Sequence, residues 1–179
     1  MRLVRPLAAL AIAASLATTA ACSSTTAAQN PKPTLDPVAF QVRPILRESV
    51  APGGACAPAP RVSIEVDQPV TLCASSSGSL LDLAPASVTS ASIATLDAAG
   101  FGTGSWVLNV SLNDAGKETF RNVTEQILPS PPPLNRLAIL IDGAVVSVAI
   151  VNEPITGGQI EVNGLTEADA TAFAARFNG

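Results

Sequence analysis

Apolar and polar positions alternate most clearly in two parts of the chain. In residues 106–112, Trp106, Leu108, Val110 and Leu112 fall on one face and Val107, Asn109 and Ser111 on the other. That is the period of a half-buried strand. In residues 137–151, an apolar run to Ile141 meets Asp142-Gly143 and a second run begins at Ala144. Asp-Gly between two hydrophobic runs predicts a hairpin, because both turn positions need φ > 0. Asn152, Glu153, Pro154 and Ile155 then form a connection that ends in a Gly157-Gly158 turn. Residues 159–162 read as a last strand before an Asn163-Gly164 turn.

Between these segments the pattern turns helical. Asn113 is a good N-cap, and Asp114 and Glu118 favour the positive end of a helix dipole. Phe120, Val123, Thr124 and Ile127 make its apolar stripe, and the proline-rich run 129–133 cannot continue it. Thr166 and Asp169 form a capping box, with aspartate in place of the usual glutamate. The helix they open runs to Phe177 and turns Ala170, Phe173, Ala174 and Phe177 inward. Upstream the signals weaken. Strands are predicted over 38–46, 62–66 and, by loose alternation, 88–96. A Gly/Ala/Pro loop covers 49–60, and turns cover 75–79 and 100–104. From Trp106 the order is strand, helix, hairpin, strand, helix. It defines an α+β fold, a mostly antiparallel sheet with helices packed on one face.

The N-terminus changes the picture of location. Arg2 and Arg5 precede a short apolar core, and Thr19-Ala20-Ala21-Cys22 places a cysteine after small residues. This is a secretory signal with a lipobox-like end over residues 1–21. Cys22 is the expected lipidation site, and residues 22–37, rich in Ser, Thr, Ala and Pro, are the expected flexible tether. Two or three acyl chains anchor stably, at about 0.8 kcal/mol per buried methylene. The expected place is the outer face of the cytoplasmic membrane. Of the three cysteines, Cys56 and Cys73 then remain as a pair. In an oxidising compartment that pair predicts a disulfide. A metal site has no partners to build on, since the chain has no histidine.

Charge and composition narrow the function classes. Loss of Arg2 and Arg5 leaves eight basic against fourteen acidic residues, a net charge of −6. With one tryptophan and no tyrosine, the chain lacks the basic, aromatic-interleaved patch of a nucleic-acid binder. The commonest general base is absent with histidine. The two lysines, Lys32 and Lys117, fall in the tether and on a helix turn. Asp142 and Glu153 are read as a turn residue and a loop residue, and Gly157-Gly158 lacks the ending of a phosphate loop. Trp106 reads as core. No catalytic residue, cofactor or metal is expected. The residues 152–155, on a loop carried by a rigid scaffold, are the candidate partner contact. The proline run 129–133 offers a polyproline II segment.

The segment LNRLAILIDGAVVSVAIVNEPITGGQIEVNGLTE, residues 134–167, resembles the head subdomain in the first periplasmic region of SecD. The counterpart there is NRLAIVLDGKVISAP, followed by a short loop, an I-x-G-G turn, a strand and a threonine-capped helix. Residues 40–46 resemble the strand F-x-x-RP-V/I-L of that region. Residues 80–86 keep the Leu-x-Pro-Ala part of its Y-x-LGPA run, without the tyrosine and with Ala84 for glycine. Residues 106–120 fit its strand-to-helix unit. The resemblance spans 38–177 and implies a head-like domain over 38–179. SecD is a membrane-embedded, proton-driven export protein whose head handles emerging preproteins. With no span predicted after the signal, what carries over is the fold and its binding habit. The expected partners are exported polypeptides or an envelope complex such as the Sec translocon. The alternative is an envelope lipoprotein that binds a small molecule or polymer in a concave pocket near Trp106.

Overall fold

The computed structural model describes residue 36 and residues 39–57, 63–74, 77–102 and 104–179. The predicted signal, Cys22 and the tether lie outside the described residues, apart from Asp36. Strand β1 (Phe40–Val50) organises the larger sheet. One of its edges pairs antiparallel with β7 (Arg136–Ile141), from Phe40↔Ile141 to Pro44↔Leu137. Pro44 has no N–H to donate, so that ladder ends there. A bulge at Leu46 follows, and the second half of β1 pairs on its other edge with β3 (Ser79–Leu83). β2 (Val70–Ala74) pairs with β3, β4 (Val88–Thr89) with the start of β1, and β8 (Ala144–Ile150) with β7. The path β2-β3-β1-β7-β8 curls until its edge strands β2 and β8 touch.

A second, three-stranded sheet has the order β5 (Ile93–Phe101), β6 (Ser105–Leu112) and β9 (Gln159–Leu165), all antiparallel. Helices α1 (Asp114–Ile127) and α2 (Glu167–Asn178) both pack against β6. They share one core with Leu108, Val110 and Leu112 of β6, and with Leu137, Ile139 and Ile141 of β7. The opposite face of β7, Ala138 and Leu140, closes a smaller core with Ile45, Leu72, Leu81 and Leu83 inside the curl. The α+β expectation holds, with helices on one face, and the curl gives the other face a core of its own.

The local signals act as predicted in α1 and α2. The Asn113 side chain accepts the Gly116 N–H at 2.9 Å, and Thr166 accepts that of Asp169 at 3.1 Å. Ala170, Phe173, Ala174 and Phe177 are all buried. Asp142 and Gly143 have φ of 49° and 79°, as a two-residue Asp-Gly hairpin turn requires. Four expectations differ. Residues 63–66 form no strand, and residue 62 lies outside the described residues. β1 continues to Val50, through what reads as loop, because β3 supplies a partner. Residues 88–96 are two strands split by a 3₁₀ turn at Ser90–Ser92, where the buried Ser90 hydroxyl accepts the Phe40 N–H at 2.9 Å. Asn163-Gly164 lies within β9 rather than turning the chain, with Gly164 at φ 85°.

Gly116 shows how tightly α1 is seated. A Cβ there would lie 2.8 Å from the Ser92 carbonyl oxygen and 2.9 Å from Ser92 Cβ. Alanine is favoured over glycine by about 1 kcal/mol in a helix interior. Gly116→Ala is nonetheless expected to lower the urea midpoint, since the clash is with backbone. A midpoint equal to or above that of the parent would contradict this packing.

Candidate functional site

β8 and β9 are successive strands that run side by side without pairing. Each has one hydrogen-bonded neighbour, β7 and β6 respectively. A Cβ built on Gly164 would lie 4.0 Å from the Val146 carbonyl oxygen, an ordinary van der Waals distance. Residues from the ends of both strands line an apolar cavity of about 190 Å³, together with Phe120, Leu137, Ile139, Val151, Ile155 and Ile160 among others. Ile150, at its rim, is 60% exposed. β8 reads AVVSVAI, with no charge and no proline, and each of its residues is half-buried or exposed. Edge strands are ordinarily protected by charge, proline, bulges or cover, and β8 has a bulge at Val146 and contacts with β2 and β9.

The connection 152–158 roofs this gap. It is fixed at one end by the Val151 N–H, donated to the Asn135 carbonyl at 2.9 Å. Nearer the middle, the Ile155 N–H donates to the Thr124 hydroxyl at 3.1 Å. Thr124 is fully buried in α1, and its own hydroxyl donates to the Phe120 carbonyl at 3.0 Å. At the far end the Gly158 carbonyl accepts from the Leu112 N–H, and a Cβ built on Gly158 would lie 2.2 Å from Lys117 Cγ. Asn152, Glu153 and Pro154 are exposed at the crest, while Ile155 is half-buried over the cavity. Sequence reasoning located the loop. It missed the cavity beneath it.

The other predicted chemistry is dispersed. Asp142 and Glu153 lie beyond opposite ends of β8, which at about 3.3 Å per residue separates them by roughly 20 Å. They form no carboxylate pair. Asp142 instead accepts two hydrogen bonds from Arg176, at 2.9 and 2.8 Å, and Arg176 lies over the Phe173 ring at 5.0 Å. This pair borders a hollow of about 530 Å³ between β8, β9 and α2. Trp106 is half-buried against the main core, beside Gly100, and does not line that hollow. The proline run folds into turns, with the Leu134 N–H on the Pro131 carbonyl and the Arg136 N–H on that of Pro133. A polyproline II helix has no such internal bonds. Leu46 and Leu134 border a third groove, of about 380 Å³, between β1 and the end of α1. Cys56 and Cys73 are joined as a disulfide. Among the described residues no cluster could hold a metal ion, and no helix is long and apolar enough to cross a membrane.

Electrostatics tie β1 to its neighbours. Arg136 hydrogen-bonds Glu48 across the sheet and, with the Ser79 hydroxyl second, holds that carboxyl below its usual value. Asp82 is lowered likewise, first by the Thr71 hydroxyl and then by Arg47. A carboxylate depressed in the folded state adds stability above its unfolded pKa, near 4.5 for Glu48, and loses it as pH falls through the folded value. Acid unfolding should therefore begin below about pH 4.5. Glu48→Gln should flatten that part of the melting temperature against pH curve. An unchanged curve would dissociate Glu48 from acid stability.

This arrangement defines a class of protein. It is an α+β head of a curled antiparallel sheet and two helices, with clefts on its surface. Residues 75–179 match the family of the SecDF P1 head subdomain, and the chain belongs to that family. It is 32% identical over 59 residues to the protein translocase subunit SecD of Streptomyces coelicolor, a match covering 33% of this chain and 10% of that protein. The chain thus matches about a tenth of that relative's length. The fold is shared with a structure of SecDF, described as a membrane component that enhances protein export. There the TM-score is 0.53 at 22% identity, over 78% of this chain and 61% of that one. SecDF in its super-membrane-facing form gives 0.52 at 22% identity, over 78% of this chain and 18% of that one.

Proposed function

We propose that this chain is a lipid-anchored, extracytoplasmic binding module that contacts exported polypeptides or the Sec translocon. In this reading residues 1–21 are removed, Cys22 carries the lipid, and residues 22–37 tether the head, residues 38–179, to the outer face of the cytoplasmic membrane. Family membership over residues 75–179 supplies the export setting. The observation that carries the contact is the exposed apolar end of β8, Ala149 and Ile150, beside an open apolar cavity. Surfaces of this kind mark association sites. A small-molecule or polymer binder would need convergent polar groups in a concave pocket. In the 530 Å³ hollow Arg176 and Asp142 already satisfy one another, which favours the polypeptide reading.

Photo-crosslinkers at Asn152 and Thr156, in cells, test the contact. Translocon subunits or many unrelated secreted chains are the expected captures. A single envelope protein, or lipid and glycan alone, would overturn the reading. Cys22→Ser is expected to shift the chain from the membrane to the soluble fraction and abolish incorporation of labelled fatty acid. Retention on the membrane would remove the anchor from the scheme.

A further inference from the structure

Resting on the polypeptide reading above, we infer that residues 152–158 are a displaceable strap. It covers the apolar cavity with Ile155, an internal stand-in for one large apolar residue of an extended polypeptide, and gives way to that guest.

The strap is lightly held. Val151 and Gly158 are buried at its two ends and tied there by backbone hydrogen bonds to Asn135 and Leu112. Between them Asn152, Glu153, Pro154, Thr156 and Gly157 are exposed, and Ile155 is the residue that packs on the main core. The Ile155 N–H, 3.1 Å from the Thr124 hydroxyl, is the hold at mid-length. A Cβ on Gly157 would meet nothing within 4 Å, so no neighbour packs on the chain there. Segments with so few buried contacts open locally at the low end of a protein's stability range.

The identity of residue 124 is informative. Thr124 lies fully buried on the apolar stripe of α1, with Val123 and Ile127. Valine would fill nearly the same space there with no polar atom to bury. The Thr124 hydroxyl returns its proton to the helix, at the Phe120 and Arg121 carbonyls, 3.0 and 2.9 Å away. Its lone pairs serve a donor from outside α1, and Ile155 supplies one. An acceptor for one peptide N–H thus stands beside an apolar cavity for the side chain of the same residue. That combination recognises a polypeptide. A hydrocarbon ligand has no such donor, and neither has proline.

Ile155 is an incomplete fit. It stays half-buried and leaves about 190 Å³ unfilled beneath it. An apolar cavity of about 150 Å³ accepts a benzene ring. A leucine or phenylalanine that takes the place of Ile155 therefore gains contacts that Ile155 does not make. Glu153 on the strap and Glu161 at the cavity wall favour basic flanks on the guest over acidic ones.

The test uses the purified full chain, amide exchange at residues 152–158, and a fluorescent peptide with a central leucine between lysine-bearing flanks, followed by anisotropy. Thr124→Val and Ile155→Ala are each expected to speed exchange in the strap at least fivefold. Thr124→Ser, which keeps the hydroxyl, should restore the slow rate. Peptide binding should then split. Ile155→Ala removes the competing side chain and keeps the acceptor, so binding tightens at least fivefold. Thr124→Val loosens the strap but lacks the acceptor, so binding weakens at least fivefold. A merely structural strap would move both variants the same way. Should Thr124→Val fail to fold, a peptide N-methylated at its leucine carries the same decision: at least fivefold weaker binding to the parent chain is expected, and equal binding overturns the proposal. Unchanged strap exchange in Thr124→Val, or Ile155→Ala binding no more tightly than a parent that does bind, overturns the strap while sparing the polypeptide reading. Binding that Leu134→Asp, on the separate groove beside α1, abolishes and Thr124→Val leaves intact does the same. Failure of both the parent and Ile155→Ala to bind this peptide or any other unfolded polypeptide overturns both.

Discussion

Arg43→Met is expected to destabilise the head by roughly 3 kcal/mol or more, since each buried acceptor left without a donor costs about 1–3 kcal/mol. Arg43 is fully buried in β1. Its guanidinium donates to the Gln41 side-chain oxygen at 2.6 Å, to the Gln68 carbonyl at 2.7 Å and to the Ala84 carbonyl at 2.8 Å. It also donates to the Glu65 carbonyl, and Gln41 in turn donates to that of Ile64 at 2.7 Å. Peptide dipoles thus solvate the cation. Burial lowers its pKa, from a value so high that it stays charged. Methionine preserves the apolar stem and leaves those carbonyls without donors in the interior. The segment 64–68 would loosen first. It leads into β2, which closes the curl against β8, so the loss should reach the candidate site. Arg43→Lys should fall between the two, since a single ammonium cannot span acceptors spread around a planar fork. Urea unfolding with amide exchange at residues 64–68 checks this. A loss under about 1 kcal/mol for Arg43→Met, or unchanged exchange there, would show the network to be dispensable.

The same arginine illustrates where the sequence is legible. The half from Trp106 onward declares itself because each element carries its own signal. β6 has one buried face, α1 and α2 have side-chain caps, and the Asp142-Gly143 turn has the residues its φ values demand. Upstream, structure depends on partners far along the chain. β3 lies between β2 and β1, with ladders on both edges, and its Ser-Leu-Leu-Asp-Leu sequence shows little period. Residues 63–66 have the β-branched composition of a strand, yet their carbonyls serve Gln41 and Arg43 instead. Gly164 looks like half of an Asn-Gly turn. Its positive φ of 85° falls inside β9 instead, a conformation glycine adopts without strain. The candidate site shares this limit. Residues 152–155 are readable as a loop from Asn, Pro and the following glycines. The cavity beneath exists because β8 and β9 do not zip together, and no local pattern records a ladder that fails to form.

Opening the Cys56–Cys73 bond should cost about 3 kcal/mol, the chain-entropy value for closing a short loop. The two positions are 17 apart in sequence, and the bond ties the segment after β1 to the buried Cys73 of edge strand β2. At the size of this head that loss lowers the melting temperature on the order of 10 °C. The mechanism can be checked separately from the magnitude. If the bond acts by restricting the unfolded chain, reduction should raise the urea m-value, because the denatured state then exposes more surface. A loss of native packing would lower the midpoint without that rise. The Cys56→Ala/Cys73→Ala double variant should match the reduced parent, since neither retains a covalent tie. Thiol titration of the denatured, unreduced chain completes the test. With Cys22 acylated and the pair oxidised, no thiol should react. Two reactive thiols, with a midpoint insensitive to reductant, would show that the head folds without the bond.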